Sequence, residues 1–278
     1  MNKVWVGIAL LLVACSSFGA VHYEFVQRSQ SDVANIPSTD LTGKAIIDGD
    51  RSRVDFITAT NSYPPGAYVL STNGARNLTF VDPLMKSYTE VNAGAVAAAI
   101  GTSNIKIDNL KSEVRQMDDH PTVAGVVTDH YHLVITYEMT VMFRTMPLKQ
   151  SIRTEIDKWT TGAFGNVSEL FLANSGVHTG NPDIDKLIDL ETTKIKGLPL
   201  KQVMKTTLSN LQGSLPGSKL RLSQVRTLTR ELIITSIEQA PSDNTVFVIP
   251  ANFKKSDGEL SKAPVTQSTI LSFDPSKE

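Results

Sequence analysis

One segment of this sequence alternates between apolar and polar residues, and it limits the fold more than any other segment does. From Asp129 to Thr145 every second residue is apolar, and the apolar set is Tyr131, Leu133, Ile135, Tyr137, Met139, Val141 and Phe143. The residues between them are mainly polar and include His130 and His132. A period of two places the two sets on opposite faces of one β-strand. At about 3.3 Å per residue this strand is about 50 Å long, which is typical of a large curved sheet.

Turn signals divide much of the remaining chain into shorter strands. Asp48-Gly49-Asp50 and Asn73-Gly74 are typical of tight hairpins. Strands are predicted over residues 22–29, 42–47, 53–60, 67–72, 76–82, 86–91, 105–117, 150–159, 200–208, 218–228 and 231–238. Most connections are of hairpin length, which indicates an antiparallel sheet.

Two segments have helical patterns. Residues 92–101 are rich in alanine, including Ala97 and Ala98, and end in glycine. Residues 182–194 follow Asn181 as a capping residue and begin with Pro182, which is favoured at the first helical position. The small side chains of residues 92–101 favour either close packing against the sheet or an apolar cavity beside it.

The N-terminus resembles a secretory signal. Lys3 precedes an apolar run over residues 4–14, which is too short to span a membrane permanently. Cys15 ends a run, Leu-Val-Ala-Cys, that resembles a bacterial lipobox and would then be lipidated. Cleavage after Gly19 or Ala20 is the other interpretation. We therefore expect residues 1–20 to be a signal peptide, 21–255 a single domain and 256–278 a disordered tail. We expect the protein to be exported, either periplasmic or anchored to the outer membrane as a lipoprotein.

The composition narrows the classes of partner. The net charge is −1 and no block of basic residues occurs, which disfavours nucleic acid and acidic membrane surfaces as partners. The one cysteine cannot form an intramolecular disulfide. No further apolar run is long enough to span a bilayer, so membrane contact is expected only through an N-terminal lipid anchor.

The motifs that carry chemistry are weak. His130 and His132 have a spacing that can bind zinc or copper, but a third ligand is not evident nearby, and a solvated polar face is the simpler interpretation. The carboxylate pairs Asp118-Asp119 and Asp183-x-Asp185 suit a loop and a helix N-terminus. No nucleophile elbow, phosphate loop, zinc-protease motif or dinucleotide fingerprint occurs. We therefore predict no catalytic residue, no cofactor and no enzymatic activity.

Four segments in order resemble one bacterial fold family. The first is residues 43–56 (GKAIIDGDRSRVDF), and the second is residues 68–82 (YVLSTNGARNLTFVD) followed by Lys86-Ser87-Tyr88. The third is a strand pair formed by Gly125 with residues 128–131 and by residues 152–160, and the fourth is residues 246–254 (VFVIPANFK). Together they are similar to the periplasmic lipoprotein carriers of LolA/LolB type. They are more similar to a secreted bacterial domain-of-unknown-function family with that fold.

This resemblance implies a mostly β protein with a few short helices, of α+β class. Its strongly curved antiparallel sheet forms an unclosed barrel, with helices packed on the concave face. It also implies an apolar ligand (an acyl chain, a lipid or a lipoprotein) between sheet and helices. The concave or core face would carry Tyr131, Leu133, Ile135, Tyr137 and Met139, with Ala97 and Ala98 beside the cavity. The alternatives are an envelope structural or interaction module with a filled core and, more remotely, a hydrolase.

Overall fold

The computed structural model of the chain describes residues 19–32, 38–58, 64–73, 76–92, 94–95, 105–143, 146–165, 180–193, 195–212 and 225–256. The strands of the first half are β1 (Ala20–Ser31), β2 (Thr39–Asp48), β3 (Arg51–Phe56), β4 (Tyr68–Thr72), β5 (Asn77–Asp82), β6 (Ser87–Asn92) and β7 (Ile105–Gln116). They are followed by β8 (Thr122–Val123), β9 (Val126–Val127), β10 (Asp129–Phe143), β11 (Met146–Thr161), α1 (Pro182–Thr193), β12 (Leu198–Gln212), β13 (Arg226–Ala240), a 3₁₀ helix (Asn244–Phe247) and β14 (Lys254–Lys255).

Twelve of these strands form one sheet in the order β14-β6-β5-β4-β3-β2-β1-β13-β12-β11-β10-β7. All neighbours are antiparallel except β14, which pairs parallel to β6. Strands β8 and β9 form a separate hairpin. In the described residues the sheet does not close, since β14 and β7 lie at its two edges.

The alternating segment forms the long strand β10, as its pattern predicts. It pairs along its whole length with β11, from Asp129 opposite Thr160 to Phe143 opposite Met146. The two predicted hairpin turns are also present. Gly49 joins β2 to β3 with a φ of +62°, and Asn73 follows β4 with a φ of +55°. These left-handed conformations suit glycine and asparagine, which is why local sequence identifies both turns.

The prediction of an α+β fold with helices packed on a concave face is wrong. In the described part of the chain the structure is nearly all β. Apart from the helical pair Gly94-Ala95, its one α-helix is α1, which lies beside the edge strand β7. Asn181 caps α1 by accepting from the backbone N–H groups of Asp183 and Ile184, as its sequence predicts. The helix is otherwise rich in acidic and threonine residues, so its apolar stripe is too narrow to cover a twelve-stranded sheet. Of residues 92–101, Asn92 ends β6, and most of the others lie outside the described residues.

A second correction concerns strand β13. Residues 218–228 and 231–238 are predicted as two strands. Residues 218–224 lie outside the described residues, and β13 continues from Arg226 through Thr229 and Arg230. Both of its sides are paired there, because Arg230 lies opposite Ser29 of β1 and opposite Met204 of β12. Two ladders of backbone hydrogen bonds therefore keep the polar dipeptide Thr229-Arg230 in a strand, although its sequence resembles a turn.

The sheet has two faces, which we call inner and outer. The inner face carries Leu133 and Ile135 of β10, and the outer face carries His130 and His132. Two clusters of buried residues lie on the inner face. The first joins β7, β10 and β11 with Ile184 and Leu187 of α1. The second joins strands β1, β2, β3 and β4 with the start of β12 and with Ile234 of β13. A third, small cluster lies on the outer face around Tyr68 and Leu70 of β4.

Candidate functional site

The apolar residues of β10 predicted to face a ligand or the core are placed in the first inner cluster. Leu133, Ile135, Tyr137 and Met139 are buried there, and Tyr131 packs against them with part of its surface exposed. Ile135 is wholly inaccessible to solvent. The other residues predicted for this site, Ala97 and Ala98, lie outside the described residues, as does Cys15.

Each of the two inner clusters has a covering element. Ile184 and Leu187 of α1 pack into the first cluster, and the β8–β9 hairpin packs on the second through Val123, Ala124 and Val126. The sequence did not predict this hairpin as a cover, because two-residue strands have no detectable period. The inner face is therefore covered at two separate places.

Between the two clusters the inner face of β12 and β13 carries half-buried apolar side chains. We call this set the apolar strip, and it consists of Met204, Leu208, Leu228 and Leu232. Met204 and Leu208 pack against the first cluster, and Leu232 packs against the second. The strip therefore connects the two clusters while keeping part of its surface accessible.

Polar residues also lie on this face among the residues of the apolar strip, and they include Thr206, Gln202 and Arg230. Gln202 is 4% exposed, and its side-chain Oε1 is buried without a hydrogen bond. Arg230 lies on the adjacent strand, two register pairs further along, since Gln202 is opposite Leu232 and Met204 is opposite Arg230. Diagonal neighbours of this kind have Cβ atoms about 7–8 Å apart, within reach of long side chains. Burial lowers the pKa of the Arg230 guanidinium from its ordinary value.

The outer face of β10 and β11 carries a network of histidine and aspartate side chains. His132 Nδ1 lies 2.8 Å from Asp157 Oδ1, and His130 Nε2 lies 3.3 Å from the same oxygen. His130 Nδ1 is 2.7 Å from Asp119 Oδ1, which joins the strand to the loop that leads to β8. The His130 ring also stacks on Trp159, with ring centres 4.4 Å apart. The network therefore holds the loop between β7 and β8 to the sheet.

This network does not form a recognisable metal site. Among the residues that the structure describes, no group of three or more histidine, cysteine, aspartate or glutamate side chains could hold a metal ion. His132 instead lines a shallow depression of about 190 Å³ with Glu113, Arg115 and Val134. The side chain of His130 is 13% exposed, so the outer face is less solvated at this point than the sequence suggested.

Arg51 and Arg53 of β3 contact the C-terminal segment. Arg53 donates to both carboxylate oxygens of Asp55 and, over 2.9 Å, to the carbonyl oxygen of Val246. The Arg51 guanidinium lies 4.5 Å from the centre of the Phe247 ring. Further along, Ile249 and Phe253 pack into the outer cluster. Burial of the Tyr68 hydroxyl in this region raises its pKa.

Comparison with known proteins gives weak structural likenesses. No family model matches the chain, and no curated protein matches it. A LolA superfamily protein from Nitrosomonas europaea, NE2245, is 12% identical with a TM-score of 0.31, over 84% of this chain and 91% of that chain. The structure of PNGF-II is also 12% identical with a TM-score of 0.33, over 85% of this chain and 31% of that chain. None of the described helices is both long and apolar enough to cross a membrane.

Proposed function

We propose that this chain is an exported, non-enzymatic binding protein that holds one apolar chain along the apolar strip. The observation that supports the proposal most directly is the position of Met204, Leu208, Leu228 and Leu232. They are half-buried, between two inner clusters that have their own covering elements. The secretory pattern of the N-terminus supports export.

The dimensions of the strip suit an acyl chain. From Met204 to Leu208 the backbone of β12 advances about 13 Å at 3.3 Å per residue. A chain of about ten methylene groups has a similar extended length. Because each buried methylene contributes about 0.8 kcal/mol, covering the strip would offset the cost of immobilising such a chain.

Native mass spectrometry of the full chain purified from its own envelope tests whether a ligand is present. In parallel, the purified protein is titrated with tetradecanoate and with tetradecan-1-ol, and thermal unfolding is followed. Binding of either compound should raise the free energy of unfolding by about 2.7 kcal/mol at a hundredfold excess over the dissociation constant.

Two variants of β13 locate the site. Leu228→Asn places an amide in the apolar strip and should weaken binding of either compound at least tenfold. Thr229→Asn changes the adjacent residue, on the outer face of the same strand, and should leave binding unchanged. If neither compound binds the unaltered protein, the proposal is wrong and a structural module with a filled core is the better description. If both variants bind as the parent does, the ligand lies elsewhere.

A further inference from the structure

We infer that the ligand of the apolar strip has an anionic head with a neighbouring hydroxyl group, held by Arg230 and Gln202. This inference rests on the proposed function and adds the chemistry of the head group to it. It is carried by three features of the inner face: a half-buried arginine, a buried amide oxygen without a hydrogen bond, and the distribution of charge.

Arg230 supplies the cationic part of the site. Its flanking inner-face residues on β13 are Leu228 and Leu232; Arg230 itself is half-buried, and burial lowers the pKa of its guanidinium. Burying part of a cation is costly, and an anion bound beside it would offset that cost. A guanidinium has five N–H donors in a planar fork, which can bind a carboxylate or phosphate through two hydrogen bonds in addition to any contact within the protein.

The charge on the inner face favours an anion. In β1, β11, β12 and β13 the residues at inner-face positions include Lys158, Arg226 and Arg230, but no aspartate or glutamate. The carboxylates of these strands, such as Glu24, Asp157 and Glu231, occupy outer-face positions. An anionic head on the inner face would therefore meet positive charge without a competing carboxylate from these four strands.

Gln202 specifies a hydrogen-bond donor beside the anion. Its Oε1 is an acceptor that is buried without a hydrogen bond, and leaving such an atom unpaired destabilises the fold. A carboxylate cannot donate to it, but a hydroxyl group on carbon 3 of the same acid can. The diagonal separation of Gln202 and Arg230 allows one small head group to reach both side chains.

Isothermal titration of the full-length protein with four probes tests the inference. The probes are 3-hydroxytetradecanoate, tetradecanoate, tetradecan-1-ol and tetradecyl phosphate, each below its micellar concentration. We expect the hydroxy acid to bind most tightly. The alcohol should bind at least about tenfold more weakly than tetradecanoate, because a charge-assisted hydrogen bond is lost. The phosphate distinguishes a carboxylate head from a phosphate head.

Two variants assign the roles, and a third is the matched control. Arg230→Met should abolish the preference for tetradecanoate over the alcohol, and Gln202→Leu should abolish the preference for the hydroxy acid over tetradecanoate. Arg28→Met removes an arginine from the outer face of β1 and should change neither preference. Circular dichroism and thermal unfolding establish that each variant is folded.

The outcomes separate this inference from the proposed function. If the acids and the alcohol bind the parent with equal affinity, the head-group inference is overturned and the apolar binding function stands. If the preference exists but survives in Arg230→Met, the assignment of Arg230 is wrong. If none of the four probes binds the parent, the binding function itself fails.

Discussion

The guanidinium of Arg53 lies 3.9 Å from the centre of the Tyr68 ring, and the same group donates to the carbonyl oxygen of Val246. One side chain thus joins β3, β4 and the C-terminal segment. A lysine at this position would keep the charge but lose the planar fork that contacts Asp55 and Val246 together.

Arg53→Lys should therefore loosen the C-terminal segment. We expect a loss of about 1–2 kcal/mol in the free energy of unfolding, from the cation–π contact and the charged hydrogen bonds. Hydrogen exchange should quicken in residues 244–255 more than elsewhere. Arg28→Lys, at an exposed ion pair with a 3.6 Å separation, is the control and should have little effect. Unchanged hydrogen exchange in Arg53→Lys would show that the apolar contacts of Ile249 and Phe253 are enough to hold the C-terminal segment.

Ile135→Ala tests the inner cluster around β10. Ile135 is wholly buried, so we expect the substitution to cost about 2–5 kcal/mol through lost burial and the cavity left behind. Urea unfolding measures the change. Thr136→Ala, on the opposite face of the same strand, should cost much less. Equal losses in both variants would mean that the two faces of β10 are buried alike.

The two histidines of β10 should differ in their contribution to stability. His130 is stacked on Trp159 and contacts Asp119 and Asp157, whereas His132 is more exposed and contacts Asp157. We expect His130→Ala to cost about 1–2 kcal/mol and His132→Ala less than about 1 kcal/mol. Zinc should not raise the Tm of the parent. A zinc-dependent rise that is lost in both variants would contradict the structural role given to these residues.

Asp48 should make the β2–β3 hairpin sensitive to acid. Hydrogen bonds from Ser242 and then from Arg51 lower the pKa of the Asp48 carboxyl below its ordinary value of 3.8. A lowered pKa in the folded state means that its stabilisation is complete above the ordinary value and is lost as the pH falls through the folded value. The free-energy difference between the parent and Asp48→Asn should therefore be largest near pH 7 and shrink below pH 3.8. Asp50→Asn, in the adjacent turn, is the control, and a difference independent of pH would contradict this role.

The first residues of β1 bear on N-terminal processing. Ala20 is 1% exposed and lies opposite Ala240 of β13. A chain that begins at Val21, as cleavage after Ala20 would produce, loses this contact, whereas a chain that begins at Cys15 retains it. We expect the shorter chain to be less stable by about 1 kcal/mol, through the lost backbone pairing. Differential scanning calorimetry of the two chains measures the change. Equal Tm values would show that the loss of Ala20 does not affect stability.

What the sequence could predict was local in origin. The period of two identifies β10, the positive-φ residues Gly49 and Asn73 identify hairpins, and Asn181 with Pro182 identifies the start of α1. The pairing of β1 with β13 was not predictable in this way, because it joins residues about two hundred positions apart. It is also the pairing that keeps Arg230 in a strand rather than a turn.

The candidate site was only partly predictable for a related reason. The apolar face of β10 was evident, but Gln202 and Arg230 resemble ordinary surface residues in sequence. Their importance comes from register, which places both on the inner face of adjacent strands. The burial of His130 likewise depends on Trp159 and Asp119, which belong to other segments.

The position of α1 beside β7 has a consequence for self-association. Asp183 accepts from the backbone N–H of Ile107, and the Asn181 amide donates to the carbonyl oxygen of Ile105, so α1 occupies backbone groups of an edge strand. Exposed edge strands are templates on which other chains add and fibrils begin. Partial unfolding that releases α1 would present a longer free edge while the sheet is still intact. The helix thus protects the protein against aggregation as well as extending its core.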